Sequence, residues 1–212
     1  MQVAIKISAF DIAKYLIEQG ADVNFIEEER GDTSLRCPVL HDAIGAVMFC
    51  LSCSPLCTKE EIVERIDNAG KALYIIRLLC EKGADVNKLA SNGMNALNIC
   101  VHKAENVLDR QEAYPATQKE AEIFLVAMLD ILIENGADFI DWANSSHYPS
   151  DTSADMINKA LFIDNFIPKE DKVIEYTFRG KVNKTIQKGD IDKTAHTRSV
   201  IQKYVKDKNI II

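Results

Sequence analysis

The sequence predicts an all-α chain built as a stack of helix-turn-helix units, followed by a C-terminal appendage that includes a small β-hairpin. Three observations carry this prediction. A short loop sequence recurs as Gly20-Ala21-Asp22-Val23-Asn24, Gly83-Ala84-Asp85-Val86-Asn87 and Gly136-Ala137-Asp138-Phe139-Ile140. Each copy follows an apolar pair, two residues, a second apolar pair and two polar residues, at one fixed spacing to the Gly. That pattern describes a helix that buries one stripe and stops at a residue free to turn left-handed. Finally, helix-start residues stand between the copies: Gly31-Asp32-Thr33 before Leu40-His41-Asp42-Ala43, and Gly93-Met94-Asn95 before Ala96-Leu97-Asn98-Ile99-Cys100.

Taken in order, Ile12, Ala13, Leu16 and Ile17 define an outer helix whose only partner is Met1 to Ser8, a truncated unit or an atypical cap. The second unit pairs an inner helix opening near Leu40 with an outer helix carrying Ile75, Ile76, Leu79 and Cys80. The third pairs the segment after Asn95 with a helix carrying Met128, Leu129, Leu132 and Ile133. These loops and helix starts resemble the ankyrin repeat, whose unit is a tight turn, an inner helix opening T-P-L-H-x-A and an outer helix running into G-A-D-V-N. The resemblance covers Met1 to Asp141 and implies an ankyrin-type α-solenoid over residues 1–143, with 144–212 a C-terminal extension or cap. It further implies that His41 hydrogen-bonds turn backbone and ties neighbouring units.

The chain departs from that pattern in spacing. Its loop glycines lie 63 and 53 residues apart, against a family period of about 33. Insertions therefore fall between inner and outer helices, at about 51–71 and 105–122. Thr58-Lys59-Glu60-Glu61 reads as a helix N-terminus, and no proline interrupts the run to Leu79, although Gly70 is a point where that helix could divide. Thr117-Gln118-Lys119-Glu120 has the capping-box pattern, after a break at Tyr114-Pro115. Both insertions should lengthen outer helices on the convex side. Extra residues, including Cys37-Pro38-Val39, enter the second turn, and Asn95 and Asn98 replace the family's Thr and His while keeping the capacity to bond turn backbone.

In the tail, Thr152 to Phe162 suggests a helix sealing the stack, Asp171 to Gly189 alternates in the manner of a hairpin, and Asp192 to Lys206 suggests a last helix.

The charge is −7 overall, with the acidic excess in the first 150 residues. Such a body argues against a phosphate backbone as partner and favours a protein with a basic surface. The opening Met1 to Ser8 is broken by Lys6, Asp11 and Lys14 before a signal-peptide core develops, and no apolar run spans a bilayer. A cytoplasmic protein with reduced thiols is the expectation.

No H-E-x-x-H, Walker-type loop or G-x-S-x-G appears, and His41 lacks a nucleophile and an orienting acid at recognisable spacing, so no enzyme and no cofactor are expected. The expected function is protein binding through turn tips and the concave inner-helix face. The candidate contacts are Phe25, Ile26, Glu27, Glu28 and Glu29 at the first finger and Leu89, Asn92 and Met94 at the second. The rival is a metal- or redox-responsive module on Cys50, Cys53 and Cys57, whose spacing suits thiolate ligands but whose neighbours Val47, Met48, Phe49 and Leu51 read as core. Cys80 and Cys100 occupy packing positions.

Overall fold

The computed structural model describes residues 1–26, 36–110, 114–139, 172–178, 181–187 and 195–210. The helix expected over Thr152 to Phe162, the turn Gly31-Asp32-Thr33 and the acidic run Glu27 to Glu29 lie outside them.

The body is helical. In chain order it comprises α1 (Gln2–Lys6), α2 (Phe10–Glu18), α3 (Val39–Leu51), α4 (Lys59–Glu81), α5 (Ala96–Leu108) and α6 (Gln118–Glu134). A terminal helix, α7 (Ala195–Asp207), follows an antiparallel hairpin of β1 (Lys172–Phe178) and β2 (Lys181–Gln187), in which Lys172 pairs with Gln187 and Phe178 with Lys181. Helices pair as α1 with α2, α3 with α4 and α5 with α6. Successive pairs then touch like with like: α1 on α3 on α5 in one layer, α2 on α4 on α6 in the other. One apolar core joins the helices, from Ala4 to Tyr204. No helix among the described residues is long and apolar enough to cross a membrane.

The three loop motifs end α2, α4 and α6 in the same way. Gly20, Gly83 and Gly136 take φ of 84°, 85° and 89°, the left-handed region in which only Gly is unstrained. The amide of each Gly donates to the carbonyl three residues back, and the next amide donates to the carbonyl five back, as in Ala84 to Leu79 at 2.9 Å. This Schellman arrangement satisfies carbonyls that a helix end otherwise leaves unpaired.

From this turn the loops build a ladder. Asp22 and Asp85 each accept the amide two residues on, from Asn24 at 2.8 Å and Asn87 at 2.9 Å. Each Asn then reaches to the following loop with both ends of its side-chain amide. Asn24 donates to the Gly83 carbonyl at 2.9 Å and accepts the Asp85 amide at 2.8 Å. Asn87 repeats this with the Gly136 carbonyl at 2.9 Å and the Asp138 amide at 3.4 Å.

The insertions behave differently from one another. Thr58 and Glu61 form a reciprocal capping box, and α4 runs unbroken through Gly70. At the second insertion, α5 itself continues to Leu108, so the first residues of that insertion lengthen the inner helix. The expected box at Thr117 is not made. Thr117 is fully buried, and its hydroxyl donates at 2.5 Å to the Leu51 carbonyl at the end of α3, which also accepts the Cys53 amide. A tertiary bond has taken the side chain that the local motif needed. Asn95 and Asn98 do cap each other's backbone, at 3.0 and 2.9 Å, and start α5.

α7 packs on both α5 and α6. Its first turn is held from outside, because the Asp109 carboxylate accepts the amides of His196 and Thr197 and the Thr197 hydroxyl. Further along, Tyr204 donates to Asp130 at 2.8 Å, and Lys208 pairs with the same carboxylate.

Two outcomes should follow in urea titrations. Gly83→Ala should cost about 1 kcal/mol or more, since it forces Cβ into a left-handed turn. Gly45→Ala, in mid-α3, should instead gain up to about 1 kcal/mol, because the added Cβ meets only the Lys103 Cε at 3.7 Å. Separately, Asn87→Ala should lose about 1–2 kcal/mol by removing both of its inter-loop bonds.

Candidate functional site

The inner-helix layer carries an open groove of about 450 Å³. Helix α1 brings Lys6, α3 brings Asp42, Gly45 and Phe49, the second finger brings Asn92 and Met94, and α5 brings His102 and Lys103. The second finger is stiff. The Ala90 amide donates to the Met94 carbonyl at 2.8 Å, Gly93 turns with φ of 80°, and Asn92 accepts the Met94 amide. It is also tied sideways, since Ser91 bonds the backbone of Arg36 through its amide (2.9 Å) and hydroxyl (3.0 Å).

Of the residues expected at the turn tips, Asn92 and Met94 line this groove. Phe25, Ile26 and Leu89 lie outside its lining: Phe25 and Leu89 are exposed and Ile26 is half-buried. The residues that sequence reasoning missed are Phe49, Lys6, Asp42, Gly45 and Lys103. Phe49 is 66% exposed within an otherwise buried apolar run, so the helical phase of α3 was the available sign.

The groove's buried lining sets His41 beside the apolar Ala46 and Ile99. His41 is 3% exposed, and neither ring nitrogen makes a hydrogen bond of good geometry. The turn backbone that the ankyrin resemblance implies as its partner does stand close, since the Lys88 backbone of the second loop favours the charged ring. Burial outweighs that influence and holds the imidazole at a pKa of about 4. Asp42 pairs with Lys6 at 3.5 Å, yet its Oδ2 is buried without a partner, and burial lifts its pKa above the usual carboxylate range. On α5, Glu105 is pushed up to about 7, chiefly by burial and then by Asp109, and His102 is lowered by burial.

Buried polar atoms without partners cost about 1–3 kcal/mol each, and those of His41 and Asp42 lie in the same groove as the exposed Phe49 and two lysines. The Cys37 thiol, also at the groove, is pushed up by burial and by Asp42, so it stays protonated and weakly nucleophilic at neutral pH. No hydrogen bond among the described residues joins a Ser, Thr or Cys side chain to a histidine ring.

Cys50 and Cys53 are buried, while Cys57 is half-buried before α4. The Cys53 thiol is raised to about 11, first by burial and then by Cys57. Among the described residues no three His, Cys, Asp or Glu side chains converge to hold a metal, so these three cysteines do not form such a set. Cys80 and Cys100 are buried in the core, as their packing positions suggested.

Compared with family models, with curated proteins and with solved structures, the chain matches none.

The pH dependence of folding should isolate His41. Its folded pKa lies below the ordinary 6.5, so between about 6.5 and 4 the unfolded chain binds the extra proton. Stability from His41 is thus present above this window and lost as pH falls through it, by at most about 3 kcal/mol. Glu105 acts oppositely: raised from 4.5 to about 7, it stabilises the fold at low pH and loses that contribution as pH rises. Subtracting the urea-derived stability of His41→Asn from that of the wild-type chain should leave a difference that shrinks towards pH 4, and the same subtraction for Glu105→Gln should leave one that shrinks towards pH 7.

Proposed function

We propose that the chain is a divergent ankyrin-repeat protein, an α-solenoid that binds another protein and performs no chemistry. Three helix pairs ending in left-handed glycines, joined by an Asp/Asn loop ladder, support the family reading. The observation that carries the binding reading is the groove itself. An exposed Phe49 sits beside Met94 and Asn92 over a mid-helix glycine, in a layer to which α1, α3, α5 and a rigid finger all contribute.

Exposed aromatics in concave, polar-rimmed positions are the usual anchors of protein interfaces. The partner seats an apolar side chain against Phe49 and Met94. Its basic side chains meet the first finger, where the sequence places Glu27, Glu28 and Glu29. Gly45 fits such a role, since a glycine in mid-helix costs about 1 kcal/mol and here leaves α3 open to close approach. Cysteines used as small apolar fillers, with thiols held protonated by burial, suit a reducing cytoplasm.

Affinity capture from native lysate, with partners identified by mass spectrometry, tests this with two variants. Phe49→Glu should reduce capture at least about tenfold while leaving the melting temperature unchanged, because the side chain lies outside the core. A triple Glu27→Lys, Glu28→Lys, Glu29→Lys change should weaken the same partner. Capture unaffected by Phe49→Glu overturns the groove as the binding surface.

A further inference from the structure

The joint between α3 and α4 brings two cysteines together. After α3 ends, Ser54-Pro55-Leu56-Cys57 closes as a tight turn: the Cys57 amide donates to the Ser54 carbonyl at 3.0 Å, and the Ser54 hydroxyl oxygen accepts the Leu56 amide at 3.3 Å. Pro55 stands where its fixed φ favours the turn, and Leu56 projects at the tip, 91% exposed. A turn of this kind holds its first and last Cα atoms within about 7 Å, and Cys53 immediately precedes the first. The Cys53 Sγ lies 3.8 Å from the Ser54 carbonyl and within hydrogen-bonding reach of the Cys57 thiol.

The two thiols differ in access. Cys53 is fully buried, whereas Cys57 is half-buried and meets solvent. The groups that bear on the other cysteines are not thiols. Cys50 stands near Ser8 and Arg65, Cys37 near Asp42, Lys6 and Lys103, and Cys80 near Glu81, while Cys100 is enclosed in the core.

We propose that Cys53 and Cys57 form a reversible disulfide, a modification site that staples the end of α3 to the start of α4, with a small disulfide of the glutathione class as oxidant. The accessible Cys57 sulfur, as thiolate, attacks one sulfur of the small disulfide and breaks its S–S bond. One small thiol leaves and takes up the proton that Cys57 lost. Cys53 then gives up its own proton, and its sulfur attacks the Cys57 sulfur and expels the second small thiol. Two protein thiols lose two electrons in all, and one small disulfide becomes two thiols.

Burial, and then Cys57, push the Cys53 thiol up to about 11, while the Arg65 charge pulls the other way. Held beside its target, Cys53 needs only a small thiolate fraction to react. The same burial slows the reverse step. An outside thiol meets Cys57 first and must then expel Cys53, whose weakly acidic thiol makes it a poor leaving group. The next residue, Thr58, caps α4 through Glu61, so fixing Cys57 also fixes the helix start.

The test is mass-spectrometric peptide mapping of the folded full chain, exposed to glutathione disulfide and then quenched with a maleimide in denaturant. The wild-type chain should lose two hydrogen masses to a Cys53–Cys57 crosslink, with Cys50, Cys80 and Cys100 recovered as free thiols, and dithiothreitol should restore both thiols. Exchange of the Glu61 and Ile62 amides with solvent deuterium should slow at least about threefold on crosslinking. Cys53→Ala should stop at the first step, with glutathione retained on Cys57. Cys57→Ser, at a half-exposed position that the fold tolerates, should leave Cys53 unmodified, and it decides the matter even where Cys53→Ala fails to fold. Glutathione that stays on wild-type Cys57 without a crosslink, a crosslink to Cys50 instead, one that forms only once the chain is unfolded, or a Cys53 that still reacts in Cys57→Ser would each overturn the proposal.

Discussion

Everything in the helical body depends on a single coupling: each outer helix ends on a left-handed glycine, and the asparagine four residues later, where present, grips the next loop. The apolar core supplies most of the energy, at about 1.5–3 kcal/mol for each fully buried Leu or Ile, but burial has no direction and would tolerate helix pairs sliding along one another. The asparagine amide is directional at both ends. By donating to one carbonyl and accepting one amide of the following loop, it fixes how far apart and at what height successive pairs sit. The core then needs only the right volume.

Local grammar was legible in the sequence and long-range recruitment was not. The loop glycines, the outer-helix stripes, the Thr58 cap and the hairpin all depend on residues within a few positions of each other, so their spacing was sufficient to find them. Thr117 shows where that reasoning stops. It has the residue type and the neighbour for a capping box, yet a carbonyl 66 residues away in sequence claims its hydroxyl. His41 shows a second limit: it is buried near the Lys88 backbone, yet neither ring nitrogen makes a bond of good geometry, and spacing alone says nothing of that. The groove escaped prediction for the same reason. Its parts come from residues 6 to 103, and nothing near Phe49 in the chain announces that Lys103 and Met94 will stand beside it.

The distribution of unsatisfied polar atoms gives the inner layer its character. His41 and Asp42 on α3 keep such atoms at the groove, His102 and Glu105 face each other at 3.8 Å on α5, and Gln118 carries one at the start of α6. A layer selected only for stability would fill such positions with apolar side chains of similar volume, since buried polar groups without partners are net costs. Retaining them leaves the fold a local cost in stability that the apolar stripes of the outer helices do not carry.

The two ends of the stack complete the contrast. α7 buries Thr197, Val200, Ile201 and Tyr204 and turns Ser199, Gln202, Lys203 and Lys206 outward. One face joins the core while the other is as polar as any surface, which is how a terminal element keeps stacked units from continuing. The first pair mixes the two kinds outward: Lys6, Asp11 and Glu18 stand exposed among Val3, Ile7, Ile12 and Tyr15. Since α7 needs outside help even to start, from the Asp109 carboxylate, its seat on α5 and α6 is a specific construction that apolar burial alone would not position.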